Sequence, residues 1–138
     1  MLDIDNFLLN WGEDSLEVKE LFTRLYGLLR QCPALTLSWS ARPEVVYALR
    51  ATLKEAKSAD ISGDIARMDI IDDDPEERWL SIRLNAALAG RCRKDWEVLP
   101  GGLSGHDALC IDVDEQEEGI SDDLLELFAS SLKNLSAN

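Results

Sequence analysis

Histidine occurs once in this chain of 138 residues, cysteine three times, and no apolar run approaches the roughly 18 residues needed to span a bilayer. Cys32, Cys92 and Cys110 are odd in number and form no close pair, which argues for reduced thiols in a reducing compartment rather than a disulfide framework. Cys92, His106 and Cys110 are three ligand types where a structural zinc site takes four, so no metal is expected. The same scarcity bears on catalysis. With His106 alone as an imidazole, and beside Asp107 in a glycine-rich stretch, no serine or cysteine has an assigned base, and no enzyme or cofactor is expected. Gly101-Gly102-Leu103-Ser104-Gly105 lacks the lysine of a phosphate-binding loop.

Basic residues are scarce too. Lysine and arginine total 14 against 27 acids, a formal net charge of −13. Such a surface repels phosphate backbones and anionic lipid, so neither nucleic acid nor membrane is an expected partner. A basic or amphipathic protein segment remains the natural complement. The acidic runs at Asp72–Asp74 and Asp112–Glu118 are read as solvated turns, because Glu117 stands where a calcium loop needs glycine. Met1-Leu2-Asp3-Ile4-Asp5 has neither the basic start nor the apolar run of a secretory signal, which sets the expectation of a cytoplasmic protein.

Against these absences stands ample material for a core. The length suits one domain over 1–138, and 46% of residues are hydrophobic, with tryptophan at 11, 39, 79 and 96. Leu2, Ile4, Phe7, Leu8 and Trp11 suit a short helix ending at Gly12. Val18, Leu21, Phe22, Leu25, Leu28 and Leu29 recur at helical spacing behind Asp14 and Glu17, which are placed as a capping box. Leu35, Leu37 and Trp39 alternate as in a strand. Residues 44–57 are ambiguous: a strand through about Arg50 followed by a short helix from Thr52 to Lys57 is favoured over one helix. Ala86–Ala89 suits a helical turn stopped by Gly90, after which Arg91, Arg93 and Lys94 form a basic cluster. Trp96–Leu99 is a short strand or edge segment before the break at Pro100-Gly101-Gly102, Leu109–Val113 is a strand, and a last helix capped by Ser121 carries Leu124, Leu125, Phe128, Leu132 and Leu135.

The most informative stretch is Arg67–Leu84. Alternation sends Met68, Ile70, Leu80, Ile82 and Leu84 to one face of a hairpin and Arg67, Asp69, Ile71, Trp79, Ser81 and Arg83 to the other. The first face is core. The second sets a tryptophan among charges, the composition of a protein contact. The fold expected is α+β: an antiparallel sheet of about four or five strands, with N- and C-terminal amphipathic helices packed on one face.

The function expected is a non-catalytic protein-interaction module that self-associates as a homodimer. Trp79, Arg67, Asp69, Ile71 and Arg83 form the interface, and Asp69 and the Asp72–Asp74 loop meet a mate's arginines. An alternative is a small-molecule or enzymatic pocket near the 101–106 loop, lined by His106, Trp96 and Arg93. In size, acidity and the strand–acidic turn–helix of Asp107–Leu135, the chain also resembles the secretion chaperones that bind effector proteins as dimers. That resemblance implies an effector-binding dimer with a long second helix in mid-chain.

Overall fold

A computed structural model describes residues 4–74, 76–90, 96–114 and 120–136. The elements run α1 (Ile4–Leu9), α2 (Leu16–Arg30), β1 (Leu35–Arg42), β2 (Val46–Leu53), β3 (Asp64–Ile71), β4 (Trp79–Asn85), α3 (Ala86–Ala89), β5 (Glu97–Leu103), β6 (His106–Val113) and α4 (Ile120–Ser136). The architecture is α+β, with one antiparallel sheet of six strands in the order β1-β2-β3-β4-β6-β5. No described helix is long and apolar enough to cross a membrane.

Register makes this sheet one-sided. Trp39 pairs with Leu49, Leu49 with Met68, Met68 with Ile82, and Ile82 with Ile111, so apolar positions form a continuous row across five strands. Because side chains alternate, a slip of one residue in any strand would turn its apolar set to water. A bulge between Ala51 and Thr52 pairs them with Ala66 and Asp64, and the intervening Ile65 is fully buried. The helices supply the other half of the core. Val18, Leu21, Phe22, Leu25 and Leu29 of α2 join Leu124, Phe128, Leu132 and Leu135 of α4 and the apolar sheet rows in one cluster. Helices α2 and α4 also touch each other.

Several elements depart from the sequence-based expectation. The described residues form six strands, because β5 runs through Pro100, Gly101 and Gly102 instead of breaking there. It lies at the sheet edge, where proline's missing N–H costs nothing, and its ladder shifts register between Leu99 and Leu103. The expected helix at Thr52–Lys57 is absent: β2 continues to Leu53, which pairs with Leu35 and is buried. The N-cap position of α2 is Ser15, not Asp14, and its side chain makes no cap bond. Ser121 lies within α4 instead of capping it. Asn85 caps the four-residue α3 by accepting from the Leu88 N–H at 3.0 Å, so the long mid-chain helix implied by the chaperone resemblance is a single turn.

The register carries a direct test. Ile82 is fully buried while Ser81 faces the other side. Ile82→Ala is expected to cost about 2–5 kcal/mol, and Ser81→Ala less than about 0.5. Equal losses in urea unfolding would contradict the register.

Candidate interaction surface

The sheet face opposite the helices carries the candidate site. Pairing of Arg50 with Arg67, Arg67 with Arg83, and Arg83 with Cys110 sets three arginines side by side on β2, β3 and β4. Like charges directly opposed across strands repel, so each guanidinium needs an acceptor. Arg50 Nε lies 3.5 Å from Asp64 and Arg67 Nε donates to Asp69 at 2.9 Å. Arg83 donates instead to the Gly102 carbonyl at 3.0 Å. Asp64 is held in turn by the Thr52 hydroxyl at 2.7 Å and the Ser104 hydroxyl at 2.8 Å.

Toward the β3–β4 turn the same face becomes apolar. Trp79 pairs with Ile71 and Ile71 with Val46, all half-buried. The five residues expected at an interface, Trp79, Arg67, Asp69, Ile71 and Arg83, thus share one face, and Arg50 extends the set. On this face Arg42, Arg50, Arg67 and Arg83 stand with Asp64, Asp69, Asp112 and Glu97. Its charge is balanced, so the molecule's excess acid lies elsewhere.

One expected role is corrected. Asp72 is not a solvated turn residue awaiting a mate's arginine; it is 4% exposed. Arg78 Nε donates to Asp72 Oδ1 at 2.6 Å, and the Glu44 N–H donates to Oδ2 at 3.2 Å. The Arg78 guanidinium also donates to the Trp11 carbonyl at 3.1 Å and lies over the rings of Trp11 and Phe7, at 4.7 and 5.6 Å. Phe7 packs on Tyr47 and Trp39, with centroids 4.2 and 5.4 Å away. Burial, then the Asp72 charge, pushes the Tyr47 hydroxyl pKa above its ordinary value. This pair had a sequence signal: Asp72 and Arg78 bracket the hairpin loop.

The expected pocket is only partly assembled. A cleft of about 420 Å³ includes Asp60, Asn85, Ala87, Gly105, His106 and Asp107 among its walls. His106 opens β6 instead of sitting in a loop, and its Nε2 lies 3.1 Å from Ser62 Oγ. Trp96 is absent from those walls because it packs against the apolar core. Cys92 and the basic cluster of Arg91, Arg93 and Lys94 lie outside the described residues. Asp107 accepts from the Gly101 N–H at 3.3 Å. No family model, curated protein or solved structure matches the chain.

Cys110 reports on the arginine row. Burial pushes its thiol pKa above the ordinary value, and the neighbouring Arg83 opposes this only in part. A raised pKa leaves less thiolate at pH 8. Cys110 is therefore expected to alkylate more slowly than a free thiol at that pH, and to gain rate as pH rises further. Peptide-mapped iodoacetamide labelling measures this; labelling as fast as free cysteine would contradict the environment described.

Proposed function

We propose that this chain is a non-catalytic, self-associating protein-interaction module of the cytoplasm, and that its open sheet face receives an amphipathic segment of a partner protein. The observation that carries the reading is the row of Trp79, Ile71 and Val46 beside the registered arginines, on a face that the helices leave uncovered. Tryptophan and arginine are the residues that concentrate binding energy in protein contacts. The balanced charge of this face also lets a partner approach without the repulsion that the rest of a strongly acidic molecule sets against anions. The apolar side of a partner segment would lie on Trp79 and Ile71, and a carboxylate would meet Arg83.

A second reading rests on the His106 cleft. A serine hydroxyl within hydrogen-bond reach of the only imidazole is the first element of a nucleophile–base pair. In that reading the cleft takes a small polar ligand, and an added ligand raises the melting temperature.

Affinity capture from the native host, followed by mass spectrometry, tests the first reading. A partner held by the wild type is expected to be depleted about tenfold, which is about 1.4 kcal/mol, by Trp79→Ala and by Arg83→Glu, with thermal unfolding little changed. Equal capture by all three proteins would remove the open face from the function.

A further inference from the structure

We propose that the outer edge of β1 is the surface through which two copies of this chain join, their strands running antiparallel so that two sheets become one. This deepens the self-association in the reading above and assigns it a place away from the Trp79 face.

The two ends of the sheet differ in how they treat their free edge. An edge strand offers unpaired backbone groups to any other strand, and proteins blunt such edges with proline, bulges and charge. The β5 edge has all three: Pro100, a register shift between Leu99 and Leu103 with Gly101 at φ 66°, and Glu97. The β1 edge has none of them between Leu35 and Ala41. Its eight residues pair with β2 without interruption, and its one charge, Arg42, stands at the far end.

The sequence of this edge is complementary to itself. Leu35, Leu37, Trp39 and Ala41 alternate with Thr36, Ser38 and Ser40, so the pattern reads alike in both directions about Ser38. A two-fold through Ser38 sets Leu37 against the mate's Trp39 and Thr36 against the mate's Ser40. Apolar then meets apolar on the helix side, hydroxyl meets hydroxyl on the open side, and no like charges meet. For two molecules that each carry −13, contact is favoured where acids are absent.

The core is also unfinished at this edge. Along one row Ala51, Ala66 and Leu84 are fully buried while Leu37, at the edge, is half-buried. In the next row Leu49, Met68 and Ile82 are buried and Trp39 is half-buried. A mate's Leu37 and Trp39 would close both rows. Because the two-fold stands normal to the sheet, both open faces point the same way, and the Trp79 surfaces act as a bivalent platform.

Sedimentation equilibrium of the wild type, Ser38→Lys, Ser38→Glu, their equal mixture and Trp79→Ala tests this. The wild type is expected to dimerise in the micromolar range. Each Ser38 variant should weaken the dimer about tenfold or more, the mixture should recover it as Lys faces Glu, and Trp79→Ala should leave it unchanged. Thr36→Lys is the substitute if a Ser38 variant does not keep its thermal transition. A wild-type dimer that Trp79→Ala abolishes and the Ser38 variants spare would overturn the β1 edge while preserving self-association. A wild type that stays monomeric would overturn both, as would an edge that pairs only with a strand of another protein.

Discussion

The buried pair of Asp72 and Arg78 is the constraint from which much of the structure follows. It closes the β3–β4 hairpin from inside and fastens the corner between α1 and α2 to the end of the sheet. Arg78 reaches that corner three ways: its guanidinium donates to the Trp11 carbonyl, its ring contacts lie on Trp11 and Phe7, and its backbone N–H donates to Ser15 Oγ at 3.1 Å. Two non-glycine residues with left-handed backbones, Ser15 at φ 55° and Glu44 at φ 67°, each make a hydrogen bond to this pair. Such conformations cost about 1–3 kcal/mol unless neighbours hold them, and here the pair supplies the holding contacts. A buried ion pair is weak evidence for net stability, but its geometry specifies one arrangement among compact alternatives.

That arrangement assigns the two faces of the sheet. With the N-terminal corner tied beneath the hairpin, α2 packs beside α4 on the apolar rows, and the arginine-and-tryptophan face is left free of helices, with the end of β5 reaching over it to Arg83 and Asp64. Asp64 and Asp69 hold Arg50 and Arg67, and the Gly102 carbonyl holds Arg83, so the three guanidiniums stay on the sheet instead of splaying into solvent. The fold therefore positions a charge-balanced, aromatic surface on a molecule whose excess acid keeps unrelated molecules apart.

The alternation in Arg67–Leu84 made this face legible, because a two-residue period needs no tertiary information. Clustered β-branched and aromatic residues, with Val46 and Tyr47, marked β2, but its end was obscured by the helix formers of Ala48–Ala56, which the ladder to β1 and β3 overrides. Pro100-Gly101-Gly102 suggested a break, since an edge position that tolerates proline and glycine is not visible until strand order is known. Asp72 was misread as a solvated turn acid for a similar reason. Its partner Arg78 is fixed by Trp11 and Ser15, 67 and 63 residues away in sequence, and no local pattern carries those contacts. Among the residues expected to line a pocket, His106 reached a cleft, whereas Trp96, half-buried, packs its apolar area against the core.

The role of the Asp72–Arg78 pair is most directly tested by a double-mutant cycle on Asp72→Asn and Arg78→Met, chosen to conserve shape, with stability read from urea unfolding. Each single change strands one buried partner and is expected to cost about 3–5 kcal/mol. The double variant should cost less than the sum, with a coupling of roughly 1–3 kcal/mol. Single costs below about 1 kcal/mol that simply add would contradict the view that this pair fixes the N-terminal corner on the sheet.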